Sequence, residues 1–445
     1  MTGIFDFHGP NAAYVLDLYE RYQRDPAAVD AATRAFFQHW RPPYAGEAAR
    51  TPVNGDGVEA WPGPAGVDKA ASVANLFQAI REYGHLAAQL DPLGGPPPGD
   101  PSLALDYHDL TEADLRQLPG SLAGGPIGAA AGAAWEAAQA LRRVYATSIG
   151  HDYDHIRLAD ERAWLRHAAE SGRFRPPQMP VDEVGLLRRL TEVEAFEHFL
   201  QRSFPGKTRF SIEGLDLMVP MLDEIVACCV GGGIYKILIG MAHRGRLNVL
   251  AHVLQKPYRQ MLLEFKDPST DDLYAEVSAL GYTGDVKYHA GADRSLPQGE
   301  ALVDLLVRMA PNPSHLEHVN PVVVGMARAA GTLTDRSGPP RIDPSRTVPI
   351  LIHGDASFPA QGIVAETLNM SRLAGYTAGG TIHIIANNQL GFTTDPHDGR
   401  STLYASDLAK GFKIPIVHVN ADDPLACIEA ARLAVAYSNE FERDF

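Results

Sequence analysis

Beyond about residue 206, short apolar runs rich in β-branched residues recur along the chain: "YKILIGM" (235–241), "VPILIHGD" (348–355), "TIHIIANN" (381–388) and "IPIVHVNA" (414–421). Runs this short and this apolar predict strands buried on both faces. The stretches between them follow a helical period, and strands separated by helices predict an α/β fold with a doubly wound parallel sheet. Upstream the period is helical. Within residues 1–40, Tyr14, Leu18 and Tyr22 share one face and Val29, Phe36 and Trp40 another, the pattern of a helical hairpin suited to docking on a partner. Residues 41–69 are rich in Pro, Gly and Ala, with "NGDG" and "WPGPAG" as breakers, and predict a flexible linker. Residues 70–205 predict a further helical region, interrupted by "GGPPPGDP" at 94–101, and residues 206–445 the α/β domain.

In open parallel sheets, ligands sit beyond the carboxyl ends of the strands. Here those ends read "GMAHRGR", "HGDAS", "NNQLG" and "NADDP", all polar or glycine-bearing. In "VPILIHGDASFPAQGIVAETLNMSRL" a strand runs through Gly354-Asp355 into a helix that begins near Ala356. The free N–H groups of a helix start favour an anion, and Asp355 has the wrong charge to be one's partner. A divalent cation between carboxylate and diphosphate removes the conflict, because Mg²⁺ takes carboxylate, amide, carbonyl and phosphate oxygens together. Asn387 and Asn388 end the next strand, where buried amides need partners. Asn388 can offer its side-chain oxygen to such a cation, and Leu390 its carbonyl. Gly-Asp and Asn-Asn are also ordinary turn sequences. His243, Arg244 and Arg246 cluster at another tip and resemble an anion pocket, while an arginine there also suits a solvated surface. "VKYHAG" presents His289 at the end of a further short strand, where a structural histidine is the plainer reading. "NPSHLE" reads as a capping box, with Ser314 as N-cap and Glu317 reaching back.

Composition narrows the classes of partner. A net charge of −15 over 445 residues argues against non-specific binding to nucleic acid or to an anionic membrane, and no apolar run approaches 18 residues. Three cysteines, two of them adjacent at 228 and 229, make no disulfide framework and point to a reducing, cytoplasmic setting.

Taken in order, "FSIEGLD", "GMAHRGRLNVL", "GDVKYH", "NPSHLE", "HGDASFPAQGIVAETLNMSRL", "GYTAGGTIHIIANNQLGFTTD" and "HVNADDP" resemble the thiamine diphosphate-dependent decarboxylase component of 2-oxoglutarate dehydrogenase, as do "YGHLAAQLDPLG" and "LYERYQRDPAAVDAATRAFFQHW" upstream. The resemblance implies oxidative decarboxylation of 2-oxoglutarate with succinyl transfer to a lipoyl carrier, in the tricarboxylic acid cycle. It implies Asp355, Asn388 and the Leu390 carbonyl as Mg²⁺ ligands, and Arg244, Ser314, Leu316 and Ala356 against thiamine diphosphate. It implies His243 and His289 as catalytic, with Arg244, His289 and Ser314 on substrate. The implied partners are a lipoyl-bearing succinyltransferase and dihydrolipoyl dehydrogenase, within a homo-oligomer.

Two departures stand out. Asp293 lies where relatives carry an uncharged residue and would repel a dicarboxylate if it faced the pocket, which raises 2-oxoadipate or another 2-oxo acid as substrate. Family members also continue for several hundred residues past the match to Phe445, so the expectation is a chain truncated within its α/β domain, one half of a split enzyme, inactive alone. A non-catalytic binding module of the complex is the third class.

Overall fold

The computed structural model describes residues 19, 21–29, 31–39, 64–230, 232–265, 287–297 and 304–445. The chain divides into two compact units, residues 1–62 and 63–445. In the first, helix α1 (Ala31–His39) packs Phe37 edge-on against Tyr19 at 5.2 Å and tilted against Tyr22 at 5.6 Å. Asp25 caps the preceding turn by accepting the Ala27 N–H at 2.9 Å. The expected contributions of Tyr14, Leu18 and Trp40, and of the Phe36 side chain, lie outside the described residues.

The second unit holds the helical region and the α/β region on one continuous core. Helices α2 (Pro64–Tyr83), α3 (Ala134–Tyr145), α4 (Ala159–Ser171) and α5 (Glu183–Ser203) precede α6 (Met218–Cys229). The central sheet then comprises β2 (Lys236–Met241), β3 (Ala292–Leu296), β4 (Leu305–Met309), β5 (Thr347–Gly354) and β6 (Ile382–Ala386), after a first short strand β1 (Ile149–Asp152). Its order is β3-β4-β2-β5-β6, parallel throughout except for β3 at one edge. Successive side chains of a strand point to opposite faces. Accordingly Ile237, Ile239, Ile350 and Ile352 join the large core, while Leu238 and Leu351 pack with Val323 and Ala327 of α7 (Val319–Gly331). Helix α8 (Gly362–Met370) follows β5, and α9 (Pro424–Phe441) packs on α6.

The fold class matches the sequence expectation, with two corrections. "VKYHAG" forms no strand where it is described; His289 lies in a turn before β3. The strand within "IPIVHVNA", β7 (Ile416–Val419), does not join the central sheet, because it pairs antiparallel with β1, Ile149 opposite Val419. Around that pairing Asp152 is buried against Lys410 at 2.7 Å and His418 at 3.4 Å. Among the described residues no helix is long and apolar enough to cross a membrane.

Buried histidines give the unit a pH dependence. Burial lowers His85 to about 4, His151 to about 3 and His252 to about 4, from an ordinary value of 6.5. Below pH 6.5 the unfolded chain binds protons there that the folded chain does not, so stability falls as pH drops from about 6.5 toward 4. The expected result is a melting temperature that declines over this window. His252→Gln should remove up to one proton from the slope, and an unchanged slope would show that His252 titrates normally.

Candidate active site

The parallel strands β2, β4, β5 and β6 present their carboxyl ends on one side of the sheet, and two groups of polar residues gather there. The first is built on the loop after β2. Gly245 adopts φ +74, and a Cβ there would meet Met218 and Ile212 at 2.8 and 3.0 Å, so the turn that carries His243 and Arg244 requires glycine. The Gly245 N–H donates to the Phe210 carbonyl at 2.9 Å and Arg244 donates to the Ser211 carbonyl at 3.0 Å, which ties the "FSIEGLD" loop over the strand end. Buried Glu197 holds the same loop from below, accepting from Asn248 at 2.6 Å, Arg209 at 2.9 Å and the Ile212 N–H at 3.2 Å. The His243 and His289 rings meet edge to face at 4.9 Å, with Phe210 at 5.2 Å from His243. His289 Nδ1 bonds the Asn312 carbonyl at 2.9 Å. A carbonyl can only accept, so Nδ1 carries the proton and Nε2 of the neutral ring is an acceptor.

Arg246 has a different place from the one its sequence position suggests. It is fully buried and donates to the carbonyls of Met241 at 2.8 Å, Ala290 at 2.8 and 3.1 Å and Ala310 at 2.7 Å. It therefore pins the ends of β2 and β4 and the turn holding His289, and is not part of an anion pocket. Burial lowers its guanidinium to about 9, still protonated at neutral pH.

The second group is built on β5 and β6. Asp355 is buried, and the backbone N–H groups of Ala356 and Asn388 lie on the side of its carboxylate and favour its charge. Gly391 brings the same loop across Ala356, since a Cβ on it would lie 3.5 Å from the Ala356 Cβ. Burial pushes the Asp355 carboxyl upward, and Arg400 at 4.0 Å offsets this only in part. The Arg400 Nε is buried without a partner. Asn388 Oδ1 accepts the Leu390 N–H at 3.2 Å and Asn387 Oδ1 the Gln389 N–H at 3.2 Å. Two successive Asx turns thus shape the loop, and Gln389 takes φ 58 within it.

The 312–318 loop joins the two groups. Its Asn312 carbonyl orients His289, and its Glu317 reaches the start of a four-residue helical turn, Ser357–Ala360, which stands beside Asp355 where the sequence predicts the long helix; that helix, α8, starts only at Gly362. The expected capping box is not formed: α7 begins at Val319 with His318 before it, and Ser314 and Leu316 are exposed. Glu317 instead turns inward at φ 69 and accepts from Ser357 Oγ, from His353 Nδ1 at 2.6 Å and from Asn320 at 2.7 Å. Burial opposes its charge, but the neighbouring His353 and these donors outweigh it and hold the carboxyl below its usual range. Burial keeps His353 neutral, with Nε2 stacked beside His383 Nδ1 at 3.0 Å.

Asp293 does not stand as a bare charge. It faces Arg308 across the β3–β4 pair, with both guanidinium bonds made at 2.8 and 2.5 Å, and the pair is exposed. Sequence reasoning missed Phe210, Asn312, Glu317 as an anchor, His353, Ser357 and Arg400. His353 lies two residues before Asp355, in the same "HGDAS", and offered a signal; Arg400 offered none.

These features define a member of a known class. Residues 213–445 match the family described as dehydrogenase E1 component, and the chain belongs to that family. Residues 7–41 match the family described as 2-oxoglutarate dehydrogenase N-terminus. Among curated relatives, the chain is 47% identical over 444 residues to the 2-oxoglutarate dehydrogenase E1 component of Bacillus licheniformis, covering 99% of this chain and 47% of the relative. It is 46% identical to the proteins of the same name from a Geobacillus species and from Geobacillus kaustophilus, again over 99% of this chain and 47% of theirs. The chain thus spans about half the length of the curated relatives it matches.

Proposed function

We propose that this chain carries the diphosphate-binding half of a thiamine diphosphate-dependent decarboxylase that acts on 2-oxoglutarate and transfers succinyl to a lipoyl carrier. The observation that supports it most is the buried Asp355 carboxylate set beside the Asn388 backbone at adjoining strand tips, with Arg400 4.0 Å away. That donor set fits a hard divalent cation, with oxygens from Asp355, Asn388 and the Leu390 carbonyl, and Arg400 is suited to the diphosphate charge. Thiamine diphosphate, when bound, supplies the electron sink for loss of carbon dioxide.

The chain's own residues have distinct tasks. Glu317 fixes the helix start through Ser357, so the N–H groups near Ala356 face the anion without reorganising. Arg244, Ser314 and Leu316 contact cofactor or substrate from the two loops. His289 Nε2, held by the Nδ1 bond, accepts or returns a proton beside the reacting 2-oxo group, with His243 as the second pocket histidine. The lipoyl-bearing succinyltransferase and dihydrolipoyl dehydrogenase are the partners of this reading, residues 1–40 the docking segment, the cytoplasm the site, and a homo-oligomer the form.

The test uses the enzyme assembled with the polypeptide that matches the relatives' other half. His289→Ala should lower kcat/KM about 100-fold or more while shifting the melting temperature little. A large loss of melting temperature with turnover intact would make His289 structural. Asp293→Ser should leave the preference between 2-oxoglutarate and 2-oxoadipate within about twofold, because the exposed pair with Arg308 is worth at most about 1 kcal/mol. A clear shift toward 2-oxoglutarate would put Asp293 against substrate.

A further inference from the structure

Away from the strand tips, at the β1–β7 pairing, imidazoles from three segments gather around one carboxylate. Asp152 ends β1 and is buried. Its Oδ2 faces His418 Nε2 of β7 at 3.4 Å and His85 Nε2 at 3.8 Å, and the three ligand atoms all lie within 4.8 Å of one another. Its Oδ1 faces His155 Nδ1 at 3.7 Å. Hydrogen bonds fix what two of these rings offer. His155 Nε2 bonds the Ile414 carbonyl at 2.7 Å, and a carbonyl only accepts, so the proton is on Nε2 and Nδ1 is a lone pair. That Nδ1 is buried without a hydrogen-bond partner. The Tyr404 hydroxyl donates to the His85 carbonyl at 3.3 Å and therefore accepts from His85 Nδ1 at 3.3 Å, which leaves His85 Nε2 a lone pair as well. Lone pairs aimed at a carboxylate repel it unless a cation lies among them. Lys410 supplies one, with Nζ 2.7 Å from Asp152 Oδ2 and 3.0 Å from Asp407 Oδ1. Both of its ion pairs go to carboxylates, and the imidazole lone pairs are left over.

We propose that His85, Asp152 and His418 form a binding site for one transition-metal ion of the Zn²⁺ class, which ties the His85 turn and β1 to β7. Two imidazoles and a carboxylate are a ligand set that such an ion prefers and that Mg²⁺ does not. An ion held at about 2.0–2.2 Å sets tetrahedral ligand atoms about 3.3–3.6 Å apart, close to the 3.4 and 3.8 Å found here, so small side-chain shifts close the site. The outer bonds are of the kind that orient metal-held histidines. Tyr404 holds the other nitrogen of His85 and stacks its ring on His418 at 3.9 Å. The fourth position is left for water, and the unpartnered His155 Nδ1 on the same carboxylate is an acceptor for a water proton. Lys410 competes with the ion for Oδ2 and opposes its charge, while Asp407 keeps a partner for Lys410 when the ion is bound.

The experiment strips the full chain of metal with a chelator, removes the chelator, and titrates Zn²⁺ calorimetrically in excess Mg²⁺, which fills oxygen-only sites and leaves imidazole ones. One Zn²⁺ per chain is expected, with a melting temperature that rises as Zn²⁺ is added. Asp152→Asn and His418→Gln should each weaken binding at least about tenfold. Lys410→Met should tighten it about tenfold, because the opposing charge is gone, and a gain of affinity cannot come from a variant that fails to fold. A second group, Asp395, His397 and Asp398, is exposed on the surface, and His397→Gln there should change nothing. No saturable uptake by wild type would overturn the proposal, as would uptake that His397→Gln abolishes and His418→Gln spares. A Lys410→Met variant that binds Zn²⁺ no tighter than wild type would also overturn it.

Discussion

Replacing Arg246 with methionine should lower the unfolding free energy by about 3–5 kcal/mol, the largest stability loss expected of any substitution near the site. The side chain is fully buried, and its guanidinium is the partner of three carbonyls from three segments: Met241 at the end of β2, Ala290 beside His289, and Ala310 at the end of β4. Methionine keeps most of the volume and none of the donors, so three acceptors lose partners in a region closed to water. The loss should appear as a lower denaturant midpoint with the slope kept. Arg246→Lys should recover only part of it, since one ammonium cannot span three diverging carbonyls in the fork geometry of a guanidinium. A methionine variant as stable as wild type would return Arg246 to the role its sequence position suggested, a cation for ligands.

How far the site was legible depended on whether its determinants are local. β2, β5 and β6 announce themselves as β-branched runs, and the polar residues that close them are adjacent in sequence, so Asp355 and Asn388 could be picked out together. The structure then sets the Asn388 backbone beside the Asp355 carboxylate. β3 and β4, "ADRSL" and "LLVRM", do not announce themselves as strands, since Asp293, Arg294 and Arg308 break the apolar pattern. That pattern is broken for a tertiary reason: Asp293 and Arg308 satisfy each other across an exposed edge pair. β7 was found as a strand, but nothing in "IPIVHVNA" says which strand it joins, and its partner β1 is about 265 residues earlier in the chain. A three-residue rule assigns Glu317 to a helix cap. Its actual partners, His353 and Ser357, lie 36 and 40 residues away, and a buried carboxylate with three donors outweighs a solvent-exposed cap.

The same logic makes Asp355→Ala the substitution with the largest expected effect on binding. The Asp355 carboxylate lies beside both the Ala356 and the Asn388 backbone, so the alanine variant loses a ligand charge and the support that charge gives the second ligand. Affinity for thiamine diphosphate in the presence of Mg²⁺ should fall by about 10- to 100-fold or more. Asp355→Asn separates the two effects. An amide oxygen can still face the Ala356 and Asn388 backbone, and the two Asx turns of the loop are untouched, so the loop keeps its shape, but the charge that balances the cation is gone. The asparagine variant should therefore melt close to wild type and still bind the cofactor poorly. Removing Mg²⁺ with a chelator should weaken wild type strongly and the asparagine variant little, because the variant has already lost most of what the metal contributes. The measurement is calorimetric titration of the enzyme assembled with the polypeptide matching the relatives' other half, with and without Mg²⁺. Equal affinity in wild type and both variants would remove Asp355 from the cofactor site, leaving its buried charge as a partner of Arg400 alone.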